Sequence, residues 1–107
     1  MTYMDLIQAM RDLGFPCAYH HFVTPPELPY TVVLYAYSSD VIADNQNYAE
    51  VGNHQLELYH NIKHPPSEML IQNKLKELRL PYRKIETYVE SEKLYQVIYQ
   101  IRLVGGN

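Results

Sequence analysis

The chain has a single cysteine, Cys17, and no tryptophan. One thiol cannot form an internal disulfide, so any fold made by this sequence is held by packing alone. Glycine is equally scarce: the four glycines are isolated or terminal, which excludes a glycine-rich loop cradling phosphates. No apolar run approaches the roughly 18 residues of a membrane span. The first stretch, "MTYMDLIQAMRDLGF", carries Asp5, Arg11 and Asp12 where a secretion signal needs an unbroken apolar segment. The expectation is a protein folded in a cytoplasm, with no membrane partner. Basic clusters are missing too. Formal charge is −3 with a pI near 5.9, and cations such as Lys74, Lys76, Arg79, Arg83 and Lys84 are scattered, so a sequence-specific nucleic-acid partner is not expected.

What is present fits one domain spanning residues 1–107, with an ordinary 47% hydrophobic fraction and 20% charged residues. Eleven tyrosines stand against two phenylalanines, Phe15 and Phe22. Tyrosine buries a ring and keeps its hydroxyl wet, so it serves both half-exposed sheet faces and protein interfaces. Any single tyrosine is accounted for by the rim of a sheet core; the set of eleven suggests an interface as well.

Periodicity orders the elements. Thr2 and Asp5 form a capping pattern ahead of Tyr3, Leu6, Ile7, Met10 and Leu13 at helical spacing, with Gly14 and Pro16 as stop signals, which predicts a helix over about 3–13. "CAYHHF" is a short strand candidate, and "VTPPELPY" a proline-stiffened linker or edge. "YTVVLYAY" is apolar on both faces and reads as a central strand covered on both sides. In "HQLELYHNI", His54, Leu56, Leu58 and His60 share one face of a half-buried strand. "HPPSEMLIQNKLKELRLPY" is a second helix, with Pro65 and Pro66 in the first turn and a stripe of Leu70, Ile71, Leu75 and Leu78. The remainder is a hairpin turning at "SEK", in which Tyr95, Val97, Tyr99, Ile101 and Leu103 line one face, followed by a frayed "GGN". The fold class is α+β: a two-layer sandwich of a mostly antiparallel sheet of about five strands, paired in sequential order, with two helices on one face.

Chemistry finds little support. His20 and His21 are adjacent and would point to opposite faces of a strand, and Pro65 and Pro66 prevent a helix from bringing His60 and His64 onto one metal, so ordinary strand positions explain these histidines better than zinc. Asp40, Asp44 and Asn45 offer oxygen ligands, but Val41, Ile42 and Ala43 stand where a calcium loop needs donors. Cys17 with His20 or His21 lacks an orienting third group, and a lone cysteine behaves more often as a small buried hydrophobe. Glu86, Glu90 and Glu92 read as solvated, which leaves no acid/base pair. No cofactor, metal or catalytic residue is expected.

The segment "SSDVIADNQNYAEVG", Ser38 to Gly52, lies between two predicted strands. Its "SSD" and "ADNQN" runs favour turns, yet Val41, Ile42, Tyr48 and Val51 interrupt them. A solvated loop has little reason to carry these apolar groups, whereas a segment that docks on a neighbour buries them there. Alternatively the segment extends both flanking strands into a long hairpin, with Tyr48 and Val51 in the third strand. A projecting hairpin is itself an arm, so the two readings agree.

The strings "LPYTVVLYAYSSDVIADNQNYAE", "LELYHNIKHPPSE" and "YRKIETYVESEKLYQVIYQIRL" resemble small proteins encoded among head–tail genes of long-tailed bacteriophages and prophages of Gram-positive bacteria. In size and element order the chain is similar to tail terminator and tail-to-head joining proteins, also described as minor tail components. The resemblance covers about residues 15–103 and involves no catalytic motif. It implies a non-enzymatic subunit of a ring, a hexamer being the expected copy number, in the virion and in the host cytoplasm during assembly. The implied partners are other copies of the chain and tail tube or head connector proteins. The extended segment would engage the adjacent subunit or the next ring through Ser39, Asp40, Asp44, Asn45 and Tyr48, with Val41 and Ile42 between them. A second expectation of another class is a small phage-encoded module that binds a host protein.

Overall fold

A computed structural model describes residues 1–43 and 45–104. The "GGN" tail at 105–107 and Asp44 lie outside the described residues, as do the side chains of Val41, Ala43, Asn47, Tyr48 and Ala49.

Helix α1, Tyr3–Asp12, begins on the expected capping box: the Asp5 N–H donates to Thr2 Oγ1 and the Thr2 N–H donates to the Asp5 carboxylate at 2.8 Å. That backbone hydrogen bond holds the Asp5 carboxyl below its usual value. The helix ends in a Schellman motif. Gly14, at φ +98°, donates to Arg11 O, and Phe15 N–H reaches Met10 O. Only glycine takes this left-handed backbone without strain.

Strand β1, Cys17–Tyr19, is shorter than the expected six residues because His20 turns into the left-handed region at φ 69°. Strand β2 spans Tyr30–Ser38, β3 Val41–Ala43, β4 Gln46–Ala49 and β5 Val51–His60. Helix α2, Pro65–Glu77, precedes β6, Tyr82–Val89, and β7, Leu94–Val104. The five-stranded sheet runs β1-β2-β5-β7-β6, and β3 and β4 form a separate two-stranded sheet. The structure is thus an α+β assembly of a five-stranded sheet with two helices packed on it.

Two strand expectations are corrected. The central strand is β5, flanked by β2 and β7; β2 has only Thr31, Val32 and Val33 buried, and its second half is exposed. The sheet is mostly antiparallel as expected, with β1 parallel to β2, Cys17 opposite Thr31, but the strands are not paired in sequential order, because β7 inserts between β5 and β6. A residue's own strand propensity does not encode how many neighbours the strand acquires, so an apolar run by itself does not mark the centre of a sheet.

The core lies on one side of the sheet. Leu6, Ile7 and Met10 of α1 and Ile71 and Leu75 of α2 pack on Val33, Leu56, Leu58, Val97, Tyr99, Ile101 and Leu103. The expected face of β7 is therefore the core face. The α2 stripe is rotated from expectation: Ser67, Glu68, Ile71 and Leu75 are buried, whereas Leu70 is 48% exposed. Ile71 and Leu70 are successive residues about 100° apart on a helix, and only one of them can face the sheet. Glu68 sits under this edge with its side chain only 5% exposed, ion-paired to Lys63 at 2.8 Å and to Lys84 at 2.6 Å. Glu86 is exposed, as expected of a solvated position, and pairs with the same Lys63.

Candidate functional site: a projecting hairpin and its base

The segment between β2 and β5 is a hairpin, β3–β4, that turns at Asn45, φ 59°. Asparagine tolerates this left-handed backbone through its short polar side chain. The pairs Val41–Ala49, Ile42–Asn47 and Ala43–Gln46 hold it, with a register shift at Tyr48. The molecule measures 49 × 30 × 23 Å. The hairpin packs chiefly on itself and so stands off the end of β2 and β5 as a sheet of its own.

Side chains fix the junction. Asp40 Oδ1 accepts from Val51 N–H at 3.0 Å, and the Asn53 amide donates to Ser39 Oγ at 2.7 Å and to Tyr37 O at 3.1 Å. A backbone bond from Ser39 N–H to Val51 O completes the base. Beyond it Ile42 is 70% exposed. Of the predicted contact residues, Ser39 and Asp40 therefore lie at the base, Ile42 and Asn45 on the exposed hairpin, and Val41 and Tyr48 in its two strands.

A β-bulge just below this base places tyrosines on both sides of the sheet. Tyr35 pairs with His54 and Tyr37 with Asn53, leaving Ala36 as the extra residue. Tyr35 stays on the helix side, where its ring meets the buried His54 edge-on at 5.5 Å. Tyr3 stacks on that same imidazole at 6.5 Å and meets Tyr19 at 4.9 Å. Tyr37 is turned to the face without helices. Tyr19, Tyr35, Tyr37 and Met4 are all exposed at this end of the sheet. The composition suggested tyrosine at an interface; the bulge that directs Tyr35 and Tyr37 to opposite faces has no signature in "YTVVLYAY", since alternation alone puts both on one side.

The uncovered face also carries a groove of about 470 Å³, lined among others by Tyr37, Asn53, Gln55, Arg83, Gln100 and Arg102. At the opposite end of that face Glu57 is buried, and Tyr59 Oη donates to its carboxylate at 2.8 Å while accepting from Gln96 Nε2. Burial and the Glu57 carboxylate push the Tyr59 hydroxyl well above its usual pKa.

The remaining chemical candidates do not assemble. Among the described residues no three His, Cys, Asp or Glu side chains converge as a metal site. His20 and His21 are not on opposite strand faces as expected, because β1 has already ended; their Nδ1 atoms approach to 3.3 Å. His60 and His64 rings meet at 5.2 Å, but His64 serves as the α2 N-cap, accepting from Ser67 N–H. Cys17 is 2% exposed, and burial pushes its thiol up against the lowering influence of Thr31 and Arg11.

No family model matches the chain, and no curated protein does. Among solved structures, it is similar to a chain of the "Virion of native gene transfer agent (GTA) particle", at 13% identity and a TM-score of 0.56, over 92% of this chain and 90% of that chain. At this identity the likeness concerns the fold.

Proposed function

We propose that the protein is a structural component of a phage or phage-like virion, acting at the head–tail junction or tail end as a ring subunit. The observation that carries this reading is the end-to-end likeness of its fold to a chain of a gene transfer agent virion. The strings quoted above point the same way, since they resemble head–tail proteins of phages. The hairpin supplies a means of assembly: it displays Ile42 to solvent on a separate two-stranded sheet whose base is fixed by Asp40 and Asn53. A small domain leaves apolar surface for subunit contacts to cover, and head-to-tail contacts close into rings when the rotation permits. In this reading Ser39, Asp40, Val41, Ile42, Asp44, Asn45 and Tyr48 face a neighbouring copy or a tail tube or head connector protein. The chain works in the virion and, during assembly, in the host cytoplasm, without catalysis.

The test is light scattering of the protein alone and with tail tube or connector proteins, alongside deletion of its gene in the producing phage or prophage. Ring formation or partner binding, with unjoined heads and tails after deletion, is expected. A protein that binds neither itself nor virion partners, and that recovers one stoichiometric host protein from lysate, would replace this reading with the host-directed module.

A further inference from the structure

The groove on the uncovered face contains two cations and no anion. Arg83 on β6 lies opposite Gln100 of β7, and Arg102 is two residues further along the same face of β7, so the two guanidinium groups stand on diagonal neighbours. No Asp or Glu lines the groove, and among the described residues neither arginine enters an ion pair. Both are exposed. The surrounding polar groups are the amides of Gln55 and Gln100 and the Tyr37 hydroxyl, which suit a polar, anionic strand or turn.

The sequence contains the complement. No lysine or arginine occurs from residue 12 to 62, and residues 1–62 hold seven carboxylates against Arg11 alone. Residues 63–107 reverse this, with eight cations and five carboxylates. The segment 39–50 carries Asp40, Asp44 and Glu50 and no cation, and Glu50 is exposed. One molecule thus presents an acidic hairpin and, on the uncovered sheet face below the hairpin's base, a basic groove. That pairing of unlike patches supports head-to-tail association and opposes stacking of like on like.

We propose that the Arg83–Arg102 groove is the seat for the acidic β3–β4 hairpin of a second copy of the chain. This rests on the ring-subunit reading and names the receiving surface. Carboxylates of the incoming hairpin meet the two guanidinium groups, and its polar turn residues meet the amides around them. Tyr37, directed into the groove by the bulge at Ala36, covers the contact from the side of the receiving copy's own hairpin base.

The experiment uses full-length chains with reversed charge, one Arg83→Glu with Arg102→Glu, the other Asp44→Arg with Glu50→Arg, each checked for a wild-type melting transition. Each alone is expected to self-associate at least about tenfold more weakly than wild type in light scattering. An equimolar mixture is expected to recover association, because each then meets an opposite charge. Groove-reversed protein that associates like wild type, or a mixture that recovers nothing, overturns the seat and leaves the ring reading standing. Should wild type stay monomeric, or a reversed chain fail to fold, unlabelled full-length protein is titrated into labelled wild-type protein. Shifts at the Arg83 and Arg102 Nε–Hε signals support the seat, and their absence overturns it. Failure of wild type to bind itself or any virion protein overturns the ring reading separately.

Discussion

Asp40 accepts a hydrogen bond from the backbone N–H of Val51 at 3.0 Å, across the point where the hairpin leaves the main sheet. The bond substitutes a carboxylate for the ladder partner that β5 lacks there. With the Asn53 amide on Ser39 and Tyr37, it ties the projecting segment to the strands beneath it.

Removing these contacts is expected to loosen the hairpin and spare the core. Asp40→Ala and Asn53→Ala should each cost about 1 kcal/mol or less of global stability, as for a partly exposed hydrogen bond. Hydrogen exchange at the Val51 and Ser39 amides should accelerate while that of Leu56 and Tyr99 stays put. Equal acceleration throughout would mean that the junction belongs to the cooperative core.

Acid should act through Glu68. Burial works against its charge, yet the hydrogen bonds from Lys63 and Lys84 outweigh that and hold its carboxyl below the ordinary 4.5. The unfolded chain then takes up the proton first, so this contribution is complete above about pH 4.5 and is lost as pH falls through the lower folded value. Denaturant melts from pH 6 to 3 should show the loss in wild type and a flatter profile in Glu68→Gln.

The two neighbours on α2 should separate cleanly. Ile71→Ala opens space in the core and is expected to cost about 2–5 kcal/mol. Leu70→Ala removes a half-exposed side chain and should stay within about 0.5 kcal/mol. Urea melts decide, and comparable losses would return Leu70 to the core.

At the end of α2, Arg79 occupies the left-handed position of a second Schellman motif, at φ 57°, with Leu80 N–H reaching Leu75 O. An arginine there carries strain that glycine lacks. Arg79→Gly should raise stability by about 1 kcal/mol, read as a higher melting temperature.

Both helices, the caps of α1, the alternation of β7 and the existence of an extended segment at 38–52 are set by neighbours a few residues apart, and the sequence alone determined them. Thr2 and Asp5 meet within one turn, and Tyr95 through Leu103 share a face by the pleat of a single strand. Only the tertiary structure decided that β5 is central, that β1 runs parallel to β2, that α2 turns Ile71 inward, and that a bulge at Ala36 sends Tyr37 to the face shared by Arg83 and Arg102. Each of these depends on the register between strands distant in the chain, and a one-residue change of register reassigns every side chain to the other face without altering the local pattern.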